Sequence, residues 1–193
     1  MKKEFARCEW CGNDPLYIKY HDEEWGVPVH DDQIHFEYII LESAQAGLSW
    51  ITVLRKRDNY RAAYDHFDPA IVAGYNEKKL VQLLNNNGII RNKLKIKSSV
   101  SNAGLFLKIQ EEFGSFDRYF WGFIDHKPVI NHYKKLEDLP ARTEISDQIA
   151  RDLKKRGFKF MGSTIVYAHM QAAGLVNDHI EGCFRYEEIN NLF

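Results

Sequence analysis

Glu42 is the only charged side chain in residues 38–54, which read YIILESAQAGLSWITVL. On a helix, Phe36, Ile39, Ile40, Leu41 and Ala44 point in nearly every direction, the pattern of a helix enclosed by protein. Glu42 is therefore expected to be buried or to line a cleft. An ionised carboxylate there is costly unless something pairs with it, and an unpaired one shifts its pKa. A binding role and an ion pair with Arg55 or Arg57 both answer that requirement. Just beyond it, Gly47 and Leu48 form a turn before Ser49 and Trp50. Such a turn suits an apolar wedge, although Leu48 and Trp50 are equally compatible with ordinary core.

The three cysteines, Cys8, Cys11 and Cys183, all lie near the chain ends and close to His21 or His179. Thiolate and imidazole are the ligands of a structural, tetrahedral zinc, and His179 and Cys183 stand four apart, within reach of one ion. Spacing favours Cys8, Cys11, His179 and Cys183 and leaves His21 open in place of Cys11. Either set ties the termini together, and four protein ligands leave no position for bound water. Buried apolar thiols beside surface histidines are the alternative.

Residues 146–173 have the pattern of a helical hairpin. Ser146 is expected to cap a helix over 146–156, residues 157–162 form a turn, and Ser163 caps a second helix over 163–173. Gly157 and Gly162 let the backbone approach a partner, and the N–H groups opening the second helix suit a phosphate. Lys154, Lys155, Arg156 and Lys159 add positive charge, unless these side chains simply stay in water. A further basic stretch, 91–97, reads as a solvated helix face. Trp10, Tyr17, Tyr20 and Trp25 crowd together near the N-terminus, where they either stack on a flat ring or build a small core.

Positioning these groups falls to helices. Strand-like alternation is scarce, and apolar residues three and four apart predict helices over 31–46, 49–65, 77–86, 92–113, 115–123, 146–156 and 163–173, with a connecting loop at 124–145. Gly47, Gly88, Gly114, Gly157 and Gly174 read as left-handed helix ends. The chain has 193 residues, 45% hydrophobic and 27% charged, with a formal net charge of −1, and neither repeats nor a flexible linker. One compact, monomeric domain over 1–193 is the expectation. The near-neutral balance argues against a wholly cationic nucleic-acid wrapper, so a polyanion would be met by one face. No apolar run approaches the ~20 residues that span a bilayer, and residues 1–8 hold no hydrophobic leader segment. No membrane association, a cytoplasmic location and reduced thiols are therefore expected.

Several long blocks carry a resemblance. Cys8 and Trp10, DPLYIKYHDEEWGVPVHDD (14–32), LESAQAGLSWITVLRKRDNYRAAYDHFDP (41–69), GIIRNKLKI (88–96), LKKRGFKFMGSTIVYAHMQAAGLVNDH (153–179) and Gly182-Cys183 are similar to the 3-methyladenine DNA glycosylase I family, one of the helix-hairpin-helix DNA glycosylases. The likeness spans nearly the whole chain to Cys183 and leaves the last ten residues outside it. It implies an all-α, two-lobed helical bundle with the base pocket between the lobes. The implied activity is hydrolysis of the N-glycosidic bond of 3-methyladenine in alkylated double-stranded DNA, leaving an abasic site without strand cleavage.

Carried over by position, the zinc ligands become Cys8, His21, His179 and Cys183, with Cys11 a bystander. Glu42 becomes the recognition carboxylate and Trp10, Tyr17, Tyr20 and Trp50 the aromatic walls. Gly47 and Leu48 match the part that fills the space of a flipped nucleotide. Residues 157–163, with Lys159, Gly162 and Ser163, match the hairpin that holds the DNA backbone. The family lacks the catalytic Asp of most of its superfamily, and Asp178, next to a zinc ligand, is not assigned as a base. A non-enzymatic, zinc-stapled DNA-binding module would leave Glu42 without a purpose, and a zinc hydrolase would need one of the four ligands replaced by water.

Overall fold

The computed structural model describes residues 6–192. A short 3-10 turn, Glu9–Cys11, leads into α1, Pro15–Glu23, whose first turn is capped by the Asp14 carboxylate accepting from the amides of Leu16 and Tyr17. The Asp31 carboxylate caps α2, Asp32–Gln45, in the same way. The chain continues through α3, Trp50–Leu54; α4, Arg57–Ala63; α5, Pro69–Ala73; α6, Glu77–Asn85; and the long α7, Lys93–Phe113. Then come α8, Phe116–Trp121; α9, Glu144–Arg156; α10, Ser163–Ala172; and α11, Phe184–Asn190. No helix among the described residues is long and apolar enough to cross a membrane.

Helix α2 is the hub. Every residue from His35 to Ala44 is buried, because α3, α7, α8 and α10 pack around it. This is the enclosed helix that the all-round apolar pattern predicts. Its C-terminal carbonyls at Ala44 and Ala46 accept from Lys95 Nζ at 2.9 and 2.6 Å. Lys95 is thus a helix cap, the exception in a basic stretch whose Arg91, Lys93 and Lys97 are exposed as expected.

Other expectations shift for local reasons. The helix predicted over 49–65 is two helices. At Lys56 the amide bonds back to Val53 at 2.8 Å, tightening the turn, and Arg57 swings inward to Glu24 and Glu37. Ser146 is not an N-cap: Thr143 is, and its hydroxyl and that of Ser146 accept reciprocally from each other's backbone amides, so α9 starts at Glu144. The Ser163 hydroxyl is joined to Ser146 Oγ at 2.8 Å. The N-cap of α10 is therefore Gly162, without a side-chain bond. Gly47, Gly114, Gly157 and Gly174 have positive φ, as expected. Gly88 does not; it lies beyond the end of α6, where a Cβ would come within 2.9 Å of Asn59.

Helices α1, α5 and α11 lie outside the segments predicted helical. The first two had a legible signal in Asp14-Pro15 and Asp68-Pro69, each a capping carboxylate followed by proline at the first helical position. The predicted loop 124–145 contains a two-residue strand, Val129–Ile130, paired in parallel with Val176–Asn177. It is the one departure from an all-helical chain among the described residues, and it anchors the loop beside α10.

Candidate active site

Glu42 opens the last turn of α2, 2% exposed. Neither proposed arginine reaches it: Arg55 bonds Asp14 at 2.6 Å, and Arg57 is held by Glu24 and Glu37. Its Oε2 is one of five buried side-chain N or O atoms left without a partner among the described residues. Two others are the indole nitrogens of Trp10 and Trp50, so three unmet polar atoms belong to residues of one cleft. Burial alone pushes the Glu42 carboxyl up to about 8, so the free protein holds it neutral at pH 7.

That cleft, about 230 Å³, is lined by Trp10, Tyr17, Tyr20, Trp25, Glu42, Gln45, Trp50, Leu136, Leu139, Ala168 and Gln171. It is smaller than the ~300–1,000 Å³ of drug-sized sites and suits one flat heterocycle. The walls brace one another: Trp10 lies 5.0 Å from Tyr17 and 4.9 Å from Trp25 between ring centroids, and Tyr20 lies 5.5 Å from Trp50. Burial raises the phenols of Tyr17 and Tyr20 above their ordinary value, so both remain protonated donors. The aromatic cluster is thus a cleft wall as well as core. Trp25, expected with the other N-terminal aromatics either to stack or to build core, lines the cleft too, whereas sequence reasoning does not mark Gln45, Leu136, Leu139, Ala168 or Gln171 as lining. Residues 136–139 and α10 reach the cleft only through folding, and no local pattern marks them.

Cys8, His21, His179 and Cys183 are buried with their ligand atoms within 4.8 Å of one another. The Sγ to ring-nitrogen separations are 3.4 Å (Cys183 to His21), 3.5 Å (Cys183 to His179) and 3.6 Å (Cys8 to His179). A tetrahedral zinc with ordinary bond lengths spaces its ligand atoms about 3.5 Å apart, so the donor set fits the ion. The second nitrogen of each imidazole is also engaged: His21 Nδ1 with Asp22 at 2.7 Å and His179 Nε2 with the Trp25 carbonyl at 3.0 Å. Cys11, which spacing favoured, turns away and donates to the Cys8 carbonyl at 3.1 Å. Four protein donors in one cluster leave the zinc-hydrolase alternative without an open position. The cluster also braces the cleft, since Trp25 packs edge-on to His179 at 4.6 Å.

Gly47 and Leu48 stand exposed on the α2–α3 turn, between the cleft residues Gln45 and Trp50; Leu48 is 42% exposed. The hairpin borders a separate groove lined by Arg142, Arg151, Lys154, Lys159, Phe160, Gly162 and Ser163, among others. Buried Asn102 grips the turn, accepting from the Lys159 amide and donating to its carbonyl, both at 2.9 Å. A Cβ on Gly162 would meet nothing within 4 Å, so the backbone opening α10 is approachable. Arg156, expected among the groove cations, is instead paired with Glu112 and Asp152, each at 2.6 Å. Arg151 of α9 and Arg142, which precedes that helix and pairs with Asp147 at 3.2 Å, line the groove instead.

Packed helices thus frame an aromatic, acid-bearing cleft and, apart from it, a glycine hairpin beside a cationic groove. The sequence profile of the family Methyladenine glycosylase matches residues 10–186, and the chain belongs to that family. It is 49% identical over 180 residues to the DNA-3-methyladenine glycosylase 1 of Escherichia coli K12, covering 93% of this chain and 96% of that one. A crystal structure of a 3-methyladenine DNA glycosylase I superimposes with a TM-score of 0.90 at 52% identity, over 93% of this chain and 98% of the other. The Staphylococcus aureus 3-methyladenine DNA glycosylase I, whose structure addresses 3-methyladenine recognition, matches with a TM-score of 0.90 at 34% identity over 94% and 97%.

Proposed function

We propose that the protein extrudes 3-methyladenine from alkylated double-stranded DNA into the aromatic cleft and hydrolyses its N-glycosidic bond. The products are the free base and an abasic site. The observation that carries this reading is the buried, unpartnered Glu42 carboxyl facing aromatic walls. A 3-methyladenine nucleoside is already cationic, so it departs as a neutral base without being protonated, and binding, extrusion and entry of water are the remaining tasks. The rings of Trp10, Tyr17, Tyr20 and Trp50 stack on the cation. Its arrival draws the proton off Glu42, which becomes an ionised acceptor.

Leu48, carried on the Gly47 turn, enters the space the base leaves. The Lys159, Gly162 and Ser163 backbone and side chains hold phosphates without reading sequence. The cleft lies between residues 10–50 on one side and residues 136–171 on the other, which supports a two-lobed layout. Cys8, His21, His179 and Cys183 would hold zinc, which when bound supplies a cross-link between the chain ends. The protein is taken to stop at base release, without a covalent strand-cutting step. We place it in the cytoplasm, acting as a single-domain monomer.

Incubation with methylated duplex DNA, followed by chromatography of free bases and alkali cleavage of abasic sites, tests the reading. Free 3-methyladenine in step with alkali-labile sites is expected. Tight DNA binding with no base released would instead identify a non-enzymatic DNA-binding module.

A further inference from the structure

Gln171 lines the cleft from α10, and its amide is not free to turn. Its Nε2 donates to Asp178 Oδ2 at 2.7 Å. Asp178, 1% exposed, also accepts from the Tyr167 hydroxyl at 2.6 Å and from Asn131 Nδ2 at 2.7 Å. A carboxylate receiving three donors accepts only, so it holds the Gln171 amide in one of its two isosteric orientations. Oε1, which has no partner among the described residues, is left as a fixed acceptor on the opposite side of the amide.

We propose that Gln171 reads the six-position of the extruded purine, accepting from the exocyclic amine of an adenine-type lesion and opposing the carbonyl of a guanine-type lesion, with Asp178 as the positioning residue that sets its polarity. This rests on the glycosylase reading. Two points favour a base edge over the attacking water as the partner of Oε1. Water both donates and accepts, so a locked amide would make no difference to it, whereas a purine edge distinguishes the two orientations. Glu42 does not discriminate alone, because both lesions arrive as cations and an ionised Glu42 attracts either one.

The test is the ratio of 3-methyladenine to 3-methylguanine released from one methylated duplex by the full-length protein, a quantity that loss of folded enzyme does not alter. Gln171→Leu is expected to lower the ratio about tenfold, the worth of one hydrogen bond in a dry site. Asp178→Asn lets the amide turn over and should lower it further by raising guanine-type release. Gln171→Glu, which keeps an acceptor, should retain the preference. If Gln171→Leu slows both bases in equal proportion, Gln171 does not read the base and the inference fails. If the wild-type protein releases neither base, the glycosylase reading itself is wrong.

Discussion

Glu42→Gln separates the electrostatic argument from mere packing. The folded protein holds the Glu42 proton up to about pH 8, whereas an exposed carboxyl releases it near its ordinary 4.5. Between those limits the native state binds a proton that the unfolded chain has lost, so stability falls as pH rises through the window. Each pH unit removes about 1.4 kcal/mol, which comes to about 3 kcal/mol at pH 7. Glutamine has no charge to bury, so the variant should gain on the wild type by that amount between pH 4.5 and 7, and the gap should stop widening above pH 8. Urea unfolding of both proteins at pH 5, 6, 7 and 8 measures it directly. The same substitution removes the anion that the cationic base requires. Release of 3-methyladenine should fall about 10- to 100-fold, the scale of a charge-assisted hydrogen bond, while duplex binding persists. Parallel stability curves across the pH series, or unchanged base release, would refute the account of a desolvated carboxyl waiting for a cation.

Further expectations concern the rest of the molecule. Cys183→Ser should abolish a one-to-one zinc content and lower the melting temperature; purified wild-type protein free of zinc would overturn the metal assignment. Lys159→Glu should weaken duplex binding and reduce the slope of log affinity against log salt by about one, and an unchanged slope would move the phosphate site elsewhere. Gly174→Ala should cost about 3 kcal/mol or more of stability. Its φ is +71° and a Cβ would lie 2.6 Å from the Pro28 nitrogen, a backbone atom that cannot swing aside; calorimetry showing no loss would contradict that contact.

Much of this protein follows from neighbours along the chain. A lone Glu42 in an apolar stretch announces its burial, because a helix with apolar residues on all sides has nowhere to go but the interior. The expected helix over 92–113 lies within a residue of the observed Lys93–Phe113, since Asn92 caps it and Gly114 ends it, and both signals are local. Family resemblance indicated His21 over Cys11, but the physical reason lies in three dimensions. Helix α1 presents His21 to residues more than 150 positions away, while Cys11 bonds to the backbone three residues back. Arg57 stood close enough in sequence to partner Glu42, yet the break at Lys56 directs it to Glu24 and Glu37. Leu136, Leu139 and Gln171 join the cleft because the strand pair at Val129 and Val176 and the packing of α10 bring them there. Periodicity and caps act over a few residues, so one-dimensional reading recovers the elements. A binding cleft is made where distant elements meet, and that meeting is settled by the packing of the whole core.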